Sequence, residues 1–194
     1  GDKIKQEQLE KLQAELAEVE LVFSRYQDLK DELGEGYERE YGLIPALVIG
    51  RESGNVNSIT INKGSTDGVE QGSAVVVDGY LLGRVEDVSG RYSLVSLLID
   101  TSTSIPVKNV NESLGILKAQ GGNQLLVDQI LPGKTIEQGQ PVFTSGLNSQ
   151  YPPDLLVGEV STIQADSREP TVSVELSSEI SWGEIDNVTV LKQL

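Results

Sequence analysis

Cysteine, histidine and methionine are all missing from this 194-residue chain. Without cysteine there can be no disulfide framework and no thiolate zinc site. The same lack fits a protein that works outside the cytoplasm. Without histidine the commonest metal ligand and the commonest general base are gone. The chain starts at Gly1 and has no methionine, so it is expected to have been cut from a longer one. Positive charge is scarce: 15 Lys and Arg face 30 Asp and Glu, for a net charge of -15. Such a surface repels phosphate backbones and anionic lipid heads, which argues against nucleic-acid and membrane-surface partners. Long apolar runs are absent too, and none approaches the ~20 residues that would span a bilayer. Any link to a membrane is expected only through an anchor upstream of this chain.

What the chain does have begins with a helix. Residues 3 to 33 contain no Pro or Gly and are rich in Glu, Gln, Lys, Leu and Ala, all strong helix formers. Apolar residues recur in steps of three and four at Leu9, Leu12, Leu16, Val19, Phe23 and Tyr26. This is a heptad seam with Leu9, Leu16 and Phe23 at a, and Leu12, Val19 and Tyr26 at d. Lys30 interrupts it and Leu33 resumes it. A stripe two positions wide suits a coiled-coil partner better than a broad core face. The other reading is a helix folded back on its own chain. Flanking positions such as Gln8, Gln13, Glu15 and Glu20 lack the opposite charges that would set parallel or antiparallel pairing. About three heptads are marginal for a stable pair. Gly34 and Gly36 end the helix. The expected division is a coiled-coil helix over 1–36, a linker over 37–43 and a β domain over 44–194.

After Leu43 short runs of Val, Ile, Leu and Thr alternate with clusters of Gly, Asn, Asp and Pro. Strands are predicted over 44–49, 58–62, 74–77, 80–88, 93–99, 104–107, 115–118, 124–130, 142–144, 156–163, 171–175 and 188–191. Turn signals such as Asp78-Gly79, Ser89-Gly90, Gly121-Gly122 and Pro132-Gly133 separate them. About 150 residues can bury enough surface for an independent core. Many short strands at this spacing indicate closed or sandwiched β architecture rather than βαβ units. A weak repeat divides the region. Val69-Glu70-Gln71-Gly72-Ser73-Ala74-Val75 resembles Ile136-Glu137-Gln138-Gly139-Gln140-Pro141-Val142, and Leu81-Leu82-Gly83-Arg84-Val85 resembles Leu155-Leu156-Val157-Gly158-Glu159-Val160. Two similar β subdomains follow, in which Gly83 and Gly158 permit the bend or bulge that closes a small barrel.

Four stretches carry a family resemblance: Thr60-Ile61-Asn62-Lys63-Gly64-Ser65-Thr66-Asp67-Gly68-Val69, Gly83-Arg84-Val85, Thr144-Ser145-Gly146-Leu147, and Tyr151-Pro152-Pro153-Asp154-Leu155-Leu156-Val157-Gly158. In sequence and in order they resemble the bacterial MreC cell-shape family, over roughly Arg25 to Leu191. Asp154 stands where that family usually has Gly, and Leu156 often has Pro as its counterpart. The resemblance implies two small six-stranded barrels, distantly like those of chymotrypsin-type proteases but without the catalytic machinery. The second would take about 107–165, with C-terminal strands returning to the first. It also implies a location on the outer face of the cytoplasmic membrane and self-association into a homo-dimer or filament. Implied partners are MreD and a class B penicillin-binding protein. The work implied is non-enzymatic: a scaffold of the elongation machinery that directs lateral peptidoglycan synthesis, with no cofactor.

Catalytic readings find little support. Ser145 in Thr144-Ser145-Gly146 invites a protease reading, but the triad base is missing. Ser–Lys dyads with Lys63, Lys108, Lys118 or Lys134 lack a signature, and Ser145 reads as a turn residue. Asp67, Asp78, Asp100 and Asp128 sit at turns or strand ends, where Asp is favoured structurally, rather than as a glycosidase pair. No Asp-x-Asp-x-Asp-Gly calcium loop occurs. Gly64-Ser65-Thr66-Asp67-Gly68 lacks the Gly-Lys-Ser/Thr ending of a phosphate loop. Asn111-Glu112-Ser113 and Asn187-Val188-Thr189 match glycosylation acceptors by accident. Trp182, Tyr151 and Tyr92 are candidate interface anchors. Tyr151 leads them, because Pro152 and Pro153 stiffen its loop into a partner-binding site. The competing functions are an adaptor subunit of an envelope export system, which needs two helices, and a barrel-fold hydrolase.

Overall fold

The computed structural model describes residues 1–18, 20–21, 41–51, 57–111, 114–131, 136–148, 150–165, 168 and 170–194, with Leu114 described in its backbone only. The chain divides into two units, Gly1–Arg39 and Glu40–Leu194. In the first unit, residues 2–18, 20 and 21 are helical. Val19, Phe23 and Tyr26 of the seam, the helix stop at Gly34 and Gly36, and linker residues 37–40 lie outside the described residues.

Among its described residues the second unit holds twelve strands: β1 (Tyr41–Gly50), β2 (Ser58–Ile61), β3 (Ala74–Val77), β4 (Tyr80–Val88), β5 (Ser93–Leu97), β6 (Ser104–Asn109), β7 (Leu114–Gly121), β8 (Gln124–Ile130), β9 (Pro141–Thr144), β10 (Leu156–Ala165), β11 (Val172–Ser177) and β12 (Asn187–Gln193). They form two closed six-stranded barrels, β1-β12-β3-β4-β5-β2 and β10-β11-β8-β7-β6-β9. Closure removes the free edges that would otherwise invite pairing with other chains. β1 begins at Tyr41, inside the stretch expected as linker. The second barrel takes in β6 through β11, from Ser104 to Ser177, a wider span than 107–165. Among the described strands, β12 alone follows β11, and it returns to the first barrel.

Both barrels share one circular order. Read from β3, the first runs β3-β4-β5-β2-β1-β12; read from β9, the second runs β9-β10-β11-β8-β7-β6. β12, last in sequence, therefore fills the place that β6, first of its barrel, fills in the other. The sequence repeat is visible as one turn built twice. Gly72 N–H donates to Val85 O at 2.8 Å and Gly139 N–H to Val160 O at 2.7 Å. Val85 N–H returns to Ser73 O and Val160 N–H to Gln140 O, each at 2.9 Å. Both glycines sit near φ +88, in the left-handed region that favours Gly. Gly83 lies on the tight inner crossing of β4 and β5, where a Cβ would stand 1.9 Å from Ser96 O. At Gly158 the same addition would stand 2.7 Å from Ser177 O. Register shifts lie at Val75/Val76, facing β4 near Gly83, and at Leu156/Gly158 in β10. The paired glycines thus mark the bends that let each barrel close.

Apolar side chains alternate inward, most plainly along β5 and β6. Ile59, Ile61, Val75, Val85, Val95 and Val190 are buried in the first barrel, and Val107, Leu117, Val127, Val142, Val160 and Val174 in the second. The Asp78-Gly79 turn joins β3 to β4 with both residues at positive φ, the type I′ geometry that fits a twisted hairpin.

Candidate interaction site

The loop from β9 to β10, predicted as a partner-binding site, is built around Thr144. Its side chain is buried; Thr144 Oγ1 donates to Pro152 O at 2.7 Å and accepts the Leu155 N–H at 3.0 Å. Backbone bonds Thr144 N–H to Leu155 O and Asp154 N–H to Thr144 O, each 2.9 Å, close the loop at its base. Asp154 has φ +68 and its carboxylate lies 2.8 Å from Lys108 Nζ. That backbone angle favours Gly, and Asp here brings an ion pair with Lys108 instead. Tyr151 is the correction. Its ring lies inward rather than at the surface: Tyr151 is 7 % exposed, and burial pushes its phenol up to about 12. Pro153 and Asp154 are the exposed members of the loop and Pro152 is half-buried.

The other anchors divide. Trp182 is buried and its carbonyl accepts a 2.7 Å bond from Arg51 Nη1. Tyr92 is exposed at the β4–β5 turn. Leu9, Leu12 and Leu16 of the helical seam are 56, 62 and 59 % exposed. One surface had been missed. Along β1, Leu43, Leu47 and Ile49 lie on the outer side at 41, 50 and 52 % exposure. These exposed apolar side chains make the outer face of β1 a candidate contact surface.

The residues tested for chemistry are tied up structurally. Ser145 Oγ donates to Pro106 O at 3.1 Å, and Ser145 N–H shares that carbonyl. Among the candidate lysines, Lys108 pairs with Asp154, and Lys118 lies 3.7 Å from Asp128; Lys134 is outside the described residues. Asp67 accepts Gly64 N–H, and hydrogen bonds from the Ser102 side chain and backbone hold Asp100 below the usual carboxylate range. The Gly64–Gly68 segment forms a short 3-10 turn whose Ser65 and Thr66 amides donate to Ser89 and Gly90 carbonyls, which leaves them no phosphate to cradle. Among the described residues no group of three or more Asp or Glu is placed to hold a metal ion.

The barrels meet along β4 and β10. Tyr80 OH, on β4, donates to Glu159 Oε1, on β10, at 2.5 Å. Burial first, then the neighbouring Glu179 carboxylate, push Glu159 up to about 7. Burial likewise drives Tyr80 up to about 12, so it acts as a donor across the neutral range.

Two closed barrels with this shared order match a known arrangement. Residues 48–192 match the family described as rod shape-determining protein MreC, barrel core.

The chain belongs to the MreC family.

It is 27% identical over 195 residues to the cell shape-determining protein MreC of Listeria monocytogenes, covering 96% of this chain and 65% of that protein. It is 27% identical over 114 residues to MreC of Escherichia coli, covering 58% of this chain and 31% of that protein. The chain thus spans less than two thirds of these relatives. Solved MreC structures share its fold. That of Listeria monocytogenes has a TM-score of 0.72 at 26% identity and covers 94% of each chain. The MreC of Pseudomonas aeruginosa has 0.70 at 28%, covering 77% of this chain and 98% of its own. MreC in a complex with penicillin-binding protein PBP2 from Helicobacter pylori has 0.61 at 22%, covering 79% and 100%; at that identity the likeness speaks for the fold.

Proposed function

We propose that this MreC-family chain is a non-enzymatic scaffold that self-associates through its helix and offers its barrels to a class B penicillin-binding protein and to MreD. The setting is the outer face of the cytoplasmic membrane, where it would help to direct lateral peptidoglycan synthesis. The observation that carries the reading is the pair of closed barrels with its family match over 48–192. Three further observations support it. The leucines of the helical seam are exposed, as a pairing face must be in a single chain. The described candidate nucleophile is bonded to a backbone carbonyl rather than to a base. The fold is shared with an MreC from a complex with PBP2. The outer row of β1, Leu43, Leu47 and Ile49, is the synthase-facing surface in this proposal. The division into a coiled coil over 1–36, a short linker and the barrels is part of the same reading.

Two measurements test it. Replacing Leu12 and Leu16 by Lys is expected to convert a sedimenting dimer to monomer, and an unchanged mass would sink the pairing. The ectodomain of the class B synthase from the same cell is expected to be retained on the immobilised chain and lost on Leu47→Asp. Binding that ignores that change would move the interface elsewhere. An export-adaptor role would require a helix pair; among the described residues there is one α-helix.

A further inference from the structure

Arg84 and Glu159 occupy equivalent positions in the two barrels. Each follows the bend glycine, Gly83 or Gly158, and precedes the valine that closes the repeated turn, Val85 or Val160. Both stand where one barrel faces the other, and each meets a tyrosine of the opposite barrel. Glu159 is satisfied, because Tyr80 donates to it. Arg84 is not. It is half-buried beside Tyr151, and its charge acts on that phenol. Among the described residues neither Arg84 nor the Tyr151 hydroxyl has a hydrogen-bond or ion-pair partner. Lys108 and Lys118, by contrast, each lie beside a carboxylate.

Arg84 lines a cleft of about 450 Å³ between the barrels, shared with Tyr151, Ser73, Gln71, Gln150 and Gln193. That volume is within the range of pockets that take a small ligand or a piece of peptide. The planar fork of an arginine matches a carboxylate with two parallel hydrogen bonds, and the phenol can add a third donor. The glutamine amides and the serine hydroxyl suit a peptide backbone, to which each can donate and from which each can accept. A single guanidinium offers one charge. The exposed Glu70 at the rim and the net charge of -15 oppose a dianion, so a monoanionic carboxylate fits better than a phosphate.

We propose that the cleft between the barrels is a carboxylate-binding site for an extended peptide, with Arg84 as its cation and Tyr151 as its second donor. The carboxylate comes from an acidic side chain or from a chain terminus. This proposal stands apart from the scaffold reading, because its test needs no synthase. The isotope-labelled chain is titrated with four tetrapeptides and followed by NMR at the Arg84 Nε–H and the Tyr151 ring. Two are blocked at both ends and carry Glu or Gln at the third position. The other two are all-alanine, with a free or an amidated C-terminus. Shifts at both groups with the Glu peptide and not the Gln peptide assign a side-chain source. Shifts with the free acid and not the amide assign a terminus. Arg84→Gln is expected to abolish the response, and Arg84→Lys to weaken it by about tenfold, since the fork is lost. Tyr151→Phe, which keeps the ring packing, is expected to weaken it by about threefold to tenfold. Ser73→Asp, which places a carboxylate inside the cleft, is expected to block the peptides while leaving the barrel amide spectrum intact. No shift with any peptide at about 10 mM, equal shifts with the neutral controls, or binding kept by Arg84→Gln would each overturn the proposal.

Discussion

Glu159 shows how much one carboxyl at a buried seam can do. Unfolded, it titrates near 4.5; folded, burial and Glu179 raise it to about 7. Below about pH 4.5 it is protonated in both states and carries no penalty. Above about pH 7 the folded chain holds a charge in the seam that the unfolded chain would hold in water. Its contribution to stability is therefore fully present at the acid end and is lost as pH rises through this window. Tyr80 can still donate to an amide, so Glu159→Gln keeps the bond between barrels and removes the titration. Urea midpoints of the native chain and this variant, measured from pH 4.5 to 8, should diverge in favour of the variant as pH rises. A gap that does not change with pH would show that Glu159 titrates at its ordinary value. The residue scale also bears on Asp154: its positive φ is costly for a side chain, and the ion pair with Lys108 offsets part of that cost.

At the scale of elements, several strands were legible residue by residue. The limits of β3, β4 and β8 agree with the predictions, because short runs of Val, Ile and Leu between turn residues leave few other solutions. β1 was legible as a strand over most of its length, but its burial was not read from the sequence, and one face carries Leu43, Leu47 and Ile49 outward. The repeat identified Gly83 and Gly158 as bends, and the close strand crossings supply the reason. Gly83→Ala should therefore destabilise the chain by at least about 2 kcal/mol, since the added carbon meets a backbone oxygen that cannot move alone. Gly72→Ala has open space around it and only the cost of its positive φ, about 1 kcal/mol. Thermal melts of the two variants check the ranking; a milder effect at Gly83 would mean that β4 and β5 separate more easily than the structure implies.

At the scale of the molecule, β12 joins the ends of the β unit. It leaves the second barrel behind and closes the first between β1 and β3. Ending the chain after Asp186 would leave those two strands with open edges. Hydrogen exchange should then become fast throughout β1 to β5, while β6 to β11, which close on themselves, keep slow amides. The shortened chain should also associate through its bared edges. Retained protection in β1 to β5 would show that the first barrel closes without its sixth strand. Exchange read by mass spectrometry on the two strand sets separates these outcomes.

The amino-acid sequence by itself determined the kind of protein this is. The glycine-punctuated runs set the strands, the repeated Glu-Gln-Gly turn set two like subdomains, and the missing histidine removed the commonest catalytic base. These are local properties, readable because each depends on near neighbours in the chain. Tertiary structure alone decided that Tyr151 turns inward, that β1 shows an apolar side, and that Arg84 and Glu159 face opposite barrels with one satisfied and the other not. Each of these depends on which surfaces remain after strands far apart in sequence have paired and two barrels have come together, and no local pattern carries that information.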